Sequence, residues 1–267
     1  MERIGLIAGN RRFPLLFLEE ASKRNVEVVT IGIKGDTDKQ VKNRSSKFYW
    51  ISVCEFPKII EIFKKENIQK AVMSGQVNPR HLFNKKILES EFIKTLLASV
   101  KKRQADAIFS SVCDMLKNAG IELLDSRLYL QDHIPQKGIL TKKSPILEEQ
   151  EDIEFGKNAA KIIGEVDIGQ TVCVKNKTVI AVEAIEGTDA TIRRAGFISR
   201  GSFTVVKTAK PNQDMRFDIP VVGLGTIKNL IKAKVSCLAI EADKTLVLDK
   251  QACINLADKF NISIVAI

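Results

Sequence analysis

The chain is poor in the residues that build most metal sites, disulfide frameworks and membrane spans. Among 267 residues there are only two histidines, His81 and His133, far apart and with no cysteine or second histidine nearby. A zinc site of the usual nitrogen and sulfur ligands is therefore excluded, and any metal should be a hard cation held by carboxylate and phosphate oxygens. The five cysteines, Cys54, Cys113, Cys173, Cys237 and Cys253, are odd in number and form no Cys-x-x-Cys pair. They read as reduced thiols of a cytosolic protein. Apolar runs such as Phe13–Leu18 fall far short of the roughly 20 residues that cross a bilayer. The N-terminus, Met-Glu-Arg-Ile-Gly-Leu-Ile-Ala-Gly, lacks the basic, apolar and small-residue order of a secretory signal. Neither G-x-G-x-x-G nor G-x-x-x-x-G-K-[ST] occurs, and there is no internal repeat or low-complexity tract. Transmembrane, secreted and disordered readings are all poor.

What is present suits a folded chain with a buried core: 45% of residues are hydrophobic and 28% charged. The length fits two domains of ordinary size. The net charge of +10 is uneven. Residues 1–140 carry 24 Lys and Arg against 16 Asp and Glu, while residues 141–267 carry 18 against 16. A basic N-terminal half suits a polyanionic partner, whether nucleic acid, an anionic membrane or a phosphorylated substrate; a solvated basic face is the plainer account.

Residues 1–130 alternate strand and helix signals. Ile4–Ala8, Val26–Ile33, Phe48–Val53, Lys70–Ser74 and Ile121–Leu124 are short apolar, strand-like runs. Between them, Phe13–Lys23, Pro57–Lys65, Leu82–Val100 and Asp106–Asn118 have helical spacing, and Pro14 and Pro57 stand where a helix tolerates proline. This pattern implies a mostly parallel, Rossmann-like sheet with right-handed crossovers. Residues 131–145, with Pro135, Gly138 and Pro145, read as a linker. Residues 146–267 predict a second α/β domain. It has helices over Glu148–Gly164, Thr188–Arg194, Thr226–Ala233 and Lys250–Lys259, and a hairpin turning at Asn176. Its further strands are Phe203–Val206, Cys237–Ile240, Thr245–Leu248 and Ile262–Ile267.

Ligands of open α/β sheets bind at the carboxyl ends of strands, which directs attention to glycines that follow strands. Gly9 and Asn10 would offer backbone N–H groups to a phosphate at the next helix start; a purely structural βα turn is the alternative. Ser74-Gly75-Gln76-Val77-Asn78-Pro79 is a second such turn, richer in polar groups. In the C-terminal half, Glu183, Glu186 and Asp189 stand within seven residues at the end of an apolar strand, followed by Arg193 and Arg194. Such a set can hold Mg²⁺ while the arginines grip phosphate, or simply complement a helix dipole. Lys207 to Pro220 is dense in polar residues. There Lys210, Asp214, Arg216 and Asp218 could bind phosphate, bind metal and handle a proton, or form a solvated, charge-balanced loop.

Together these segments resemble one family, the LpxI-type UDP-2,3-diacylglucosamine pyrophosphatases of lipid A synthesis. The similar pieces are Gly5-Leu-Ile-Ala-Gly9 with Pro14, Ser74-Gly75-Gln76-Val77, Asp167-Ile-Gly-Gln170, and Val182 through Ala190 with Arg193-Arg194. To these are added Lys210-Pro211, Asp218-Ile-Pro220 and Thr226-Ile227. The resemblance implies an α/β protein with an N-terminal Rossmann-like domain, a second α/β domain and an active site in the cleft between them. It implies Mg²⁺-dependent hydrolysis of UDP-2,3-diacylglucosamine to UMP and 2,3-diacylglucosamine 1-phosphate (lipid X), with water attacking the β-phosphorus. The essential aspartate falls on Asp218, as metal ligand or as base for the water. Metal ligands are then expected from Asp218, Asp189, Glu186 and Asp214, the last an addition to the family's pattern. Substrate contacts are expected from Gly9, Asn10, Gly75, Gln76 and Asn78 in the first domain. In the second half they are expected from Thr188, Arg193, Arg194, Lys210, Gln213 and Arg216. A cytoplasmic protein at the inner membrane surface, a homodimer and no nucleic-acid partner go with this reading. Lysine-bearing helices of residues 82–103 could lie against anionic lipid, a basic solvated face being the simpler account. The rivals are a nicotinamide-dependent oxidoreductase, disfavoured by the broken glycine fingerprint, and a non-catalytic binder of nucleic acid or acidic lipid.

Overall fold

The computed structural model describes residues 2–78, 84–99, 105–211 and 213–267. Pro79, His81, Asn212 and residues 100–104, together with the first residues of the helix expected over 82–100, lie outside that set. The chain divides into two compact units: residues 1–130 with Asp214–Asp218, and residues 131–213 with Ile219–Ile267.

The first unit begins β1 (Arg3–Ala8), α1 (Phe13–Lys23), β2 (Glu27–Ile33), α2 (Lys39–Arg44) and β3 (Lys47–Ile51). It continues α3 (Pro57–Lys65), β4 (Lys70–Ser74), α4 (Lys85–Leu88), α5 (Glu91–Ser99), α6 (Ala105–Asn118) and β5 (Glu122–Leu123). All five strands pair in parallel in the order β3-β2-β1-β4-β5, the spatial order of a dinucleotide-binding sheet. β1 and β2 are buried along almost their whole length, as strands covered on both faces must be. Ile7, Val29 and Ile31 form one core cluster with Ile59 and Phe63 of α3 and Val112 and Leu116 of α6. Two differences from the sequence expectation have local causes. α2 is a single short turn capped by the Asp38 carboxylate, with Val41 its only buried residue, too little for a periodic signal. The long helix expected from residue 82 is broken into α4 and α5 at Glu89-Ser90.

The second unit comprises β6 (Gly138–Ile139), α7 (Leu147–Glu165), β7 (Thr171–Lys175), β8 (Thr178–Val182), α8 (Thr188–Ser199) and β9 (Thr204–Lys207). There follow β10 (Val221–Val222), α9 (Leu224–Lys232), β11 (Cys237–Ile240), β12 (Leu246–Val247), α10 (Lys250–Lys259) and β13 (Ser263–Ala266). The main sheet is mixed, in the order β6-β13-β11-β9-β7-β8, and β10 pairs with β12 alone. Alternation along the strands sorts the core: Val205, Leu238 and Ile240 pack with Ile192, Ile227, Leu230 and Cys253, whereas Val206, Cys237 and Ala239 pack with Ile153 of α7. The β7–β8 turn has both Asn176 and Lys177 at positive φ, the form that matches strand twist. Asp152 of α7 accepts both of their amides.

The stretch expected as a linker is folded into this unit. Gly138–Ile139 pairs antiparallel with β13, Leu140 donates to Ile264, and the Ile264 amide returns a bond to the Thr141 hydroxyl. Backbone bonds hold it where periodic apolar residues are few. The expected helix from Thr188 runs on to Ser199. All five cysteines are free and four are buried; burial pushes the thiols of Cys173, Cys237 and Cys253 up to about 12, leaving them unreactive.

At the amino ends of the first sheet's strands, Glu66 gathers Arg3, Lys47 and Tyr49 around one buried carboxylate. Hydrogen bonds from Lys47, then Tyr49, and the charge of Lys47 outweigh burial and hold its pKa at about 2, against 4.5 for a free glutamate. The unfolded chain therefore binds more protons between those values, so this group's stabilisation is complete above about pH 5 and is lost as pH falls toward about 2. Glu66→Gln is expected to be less stable at pH 7 and to show a shallower loss of stability across that window. Urea denaturation at a series of pH values measures the difference in slope.

Candidate active site

The two glycine turns meet at the carboxyl end of the first sheet. Gly9 donates its amide to the Ser74 carbonyl at 2.8 Å, and Asn10 donates to the Gln76 carbonyl at 2.8 Å. Both amides that the sequence offered to a phosphate are thus engaged by backbone carbonyls. The glycines are there because backbone meets backbone: a Cβ on Gly9 would lie 2.6 Å from the Gln76 carbonyl oxygen, and Gly75, at φ +84°, would place one 2.5 Å from that of Asn10. Asn78, on the same edge, donates its amide to Asp36 just beyond β2.

Beside this edge lies the segment Asp214–Asp218. Its backbone makes one helical turn, with the Asp218 amide donating to the Asp214 carbonyl at 2.9 Å. Both oxygens of Asp214 are held by the Arg216 guanidinium through three bonds of 2.6 to 3.1 Å, and a fourth bond comes from the Arg216 amide. Those bonds keep the Asp214 carboxyl below its usual range and raise the guanidinium. Asp214 is thus poorly suited to the metal-ligand role expected of it. Asp218 is half-buried and its Oδ2 is closed to solvent. A second fork of the same design, Asp125 with Arg127, stands next to the first: the amide of the intervening Ser126 donates to the Met215 carbonyl at 2.9 Å. Sequence reasoning missed this pair, although the shared Asp-x-Arg spacing is visible in the chain.

In the second unit the remaining expected residues form two groups at one edge of its sheet. The first centres on a buried ion pair. Lys207, 3% exposed, donates to the Thr188 hydroxyl at 2.9 Å and lies 4.0 Å from Glu183, which is itself 7% exposed. The Thr188 hydroxyl donates in turn to Glu183 at 2.7 Å. Burial alone would raise the Glu183 pKa, but the charge of Lys207 and bonds from Thr171, Thr188 and the Gln170 amide hold it below the usual range. The Thr188 hydroxyl is therefore bonded on both sides within the unit, to Glu183 and to Lys207. Glu186 binds Arg194 at 2.8 Å, Arg194 also caps the Val182 carbonyl, and Arg193 reaches Asn229. Asp189, in the first turn of α8, accepts from Thr226 at 3.3 Å. The second group ties Lys210 to Asp167 at 2.7 Å, and Gln213 to Gln170 and to the Lys210 amide.

The four carboxylates nominated for metal binding divide evenly, Asp214 and Asp218 in the first unit, Glu186 and Asp189 in the second. Among the described residues, no group of three or more His, Cys, Asp or Glu side chains is arranged to hold a metal ion.

Comparison with known proteins covers nearly the whole chain. The LpxI N-terminal domain matches residues 3–133 and the LpxI C-terminal domain matches residues 136–265. The chain belongs to the LpxI family. A relative, the UDP-2,3-diacylglucosamine pyrophosphatase LpxI of Caulobacter vibrioides, is 27% identical over 277 residues, covering 100% of this chain and 98% of that protein. Among solved structures, the UDP-glucose 4-epimerase of Thermotoga maritima is 10% identical. It covers 92% of this chain and 70% of its own, with a TM-score of 0.32. A biotin carboxylase domain of a thermophilic 2-oxoglutarate carboxylase, also 10% identical, covers 65% of this chain and 35% of its own at a TM-score of 0.27. Likenesses this distant carry no argument about the LpxI fold or its chemistry.

The buried pair generates a direct expectation for this LpxI chain. Removing one charge strands the other, so Glu183→Gln or Lys207→Met alone should cost about 3–5 kcal/mol, whereas the double variant should recover most of the loss. A double-mutant cycle by chemical denaturation tests it.

Proposed function

We propose that this LpxI-family chain hydrolyses the pyrophosphate of UDP-2,3-diacylglucosamine, releasing UMP and 2,3-diacylglucosamine 1-phosphate, in lipid A synthesis. What carries the reading is the full-length alignment with the Caulobacter enzyme together with both family matches. The chemistry of the site residues is compatible with it. A pyrophosphate diester bears two negative charges, and attack by water needs those charges offset, the water oriented and the leaving phosphate stabilised. Arg216 and Arg127 are guanidinium forks already fixed by their own aspartates, so their orientation is set before any anion arrives.

Asp218 is proposed to orient the attacking water, by direct hydrogen bond or as a ligand to Mg²⁺. Bound Mg²⁺ would offset charge on the phosphate oxygens and lower the pKa of a coordinated water. Such an ion keeps several waters and takes substrate oxygens, so it asks for only one or two protein carboxylates. The family resemblance gives that task to Asp218, while both oxygens of Asp214 are held by Arg216. Attack at the β-phosphorus, work at the inner membrane surface and a homodimeric state belong to the same proposal and rest on the family resemblance. No described helix is long and apolar enough to cross a membrane.

Purified protein incubated with UDP-2,3-diacylglucosamine and Mg²⁺ in ¹⁸O-water should give UMP and a sugar phosphate carrying the label. EDTA should abolish turnover, and Asp218→Ala should lower kcat by at least about a hundredfold. Label on UMP would place attack at the α-phosphorus instead. Salt-sensitive binding without turnover would favour the non-catalytic reading.

A further inference from the structure

The segment that carries Asp218 is short, polar and borrowed from a distant part of the chain, yet the first unit holds it at one buried point. Ser126 is 1% exposed, and its hydroxyl lies 2.7 Å from two carbonyl oxygens, that of Met73 at the end of β4 and that of Arg216. Its amide donates to the Met215 carbonyl. One residue thus grips two successive peptide groups of the segment and ties them to the central sheet. Beside it Phe217 stacks on Phe109 of α6, with ring centroids 5.5 Å apart, and packs against the core cluster of that unit. The single helical turn from Asp214 to Asp218 passes this hold onward, since the Asp218 amide is bonded within the same turn.

From this geometry we infer that Ser126 is a positioning residue for Asp218: it touches no reacting group but fixes the turn that presents the carboxylate. The inference rests on Asp218 acting in the proposed hydrolysis. A serine hydroxyl with one proton shared between two carbonyls, one buried and one half-buried, cannot be replaced by alanine without leaving both short of a donor. Both lost bonds converge on the turn and the end of β4, so the loss should be felt in the turn before it is felt in β1 and β2.

Three variants test this: Ser126→Ala, Asp218→Asn and the two combined. Ser126→Ala should lower kcat by about 10- to 100-fold with KM within about threefold of wild type. Ser126→Cys, which keeps the volume and a weak donor, should fall between. In the Asp218→Asn background, Ser126→Ala should add less than about a threefold further loss, because both changes act through one group. Hydrogen exchange of the amides of residues 215–218 in Ser126→Ala should quicken at least about tenfold while those of β1 and β2 stay protected. Unchanged kcat, multiplicative losses or unchanged exchange at the turn would each overturn the inference. So would failure of both serine variants to fold, which would make Ser126 a residue of the core. A fully active Asp218→Asn would instead refute the assignment of Asp218, and the exchange result would still report on the hold itself.

Discussion

The pairing of carboxylates with nearby cations governs much of what this LpxI chain can do. In a protein of net charge +10, acidic side chains do not lack for partners, and most of those near the candidate site are already taken. Asp214 is locked in the fork of Arg216, Glu183 faces the buried Lys207, Glu186 binds Arg194 and Asp167 binds Lys210. A carboxylate so held is a poor metal ligand and a poor base, because the cation lowers its basicity and occupies its lone pairs. Its service is to orient the cation. Arg216 and Arg127, each pinned along one side of its guanidinium, are the clearest instances.

Glycine has a parallel role in the first unit. Gly9 and Gly75 bring two strand-to-helix connections into direct backbone contact, and that contact spends the amides that a phosphate would need. The first unit therefore has the strand order of a nucleotide-binding sheet without the open glycine loop that usually accompanies it.

Much of the fold could be read from the chain because its signals are local. Apolar runs ending in glycine mark β1 and β4, proline at a helix opening marks α1 and α3, and the Asn176 turn marks the β7–β8 hairpin. Elements whose energy is non-local were not legible. β6 has two residues and exists only because β13 supplies partners more than a hundred positions away in sequence. The candidate site shows the same division. Residue types and family motifs pointed to Thr188, Asp214 and Gly9, but which of their groups are already spent depends on Glu183 with Lys207, on Arg216 and on Ser74 respectively. Ser126 gave no signal of its own, since a lone serine acquires meaning only when Met73 and Arg216 are brought to it. The Asp-x-Arg spacing around it was the one available clue.

Finally, the excursion of Asp214–Asp218 into the first unit bears on how the protein is made. Residues 1–130 leave the ribosome with a complete set of sheet strands, yet the piece that supplies Phe217 and Asp218 is synthesised much later. Early folding of the N-terminal region can proceed, as it does for most chains that emerge domain by domain, but its final surface waits for most of the second unit to be translated. The two halves are consequently interlaced in time as well as in sequence. A gene cut after Leu130 would not separate two self-sufficient modules, which is a reason for such a protein to remain a single polypeptide.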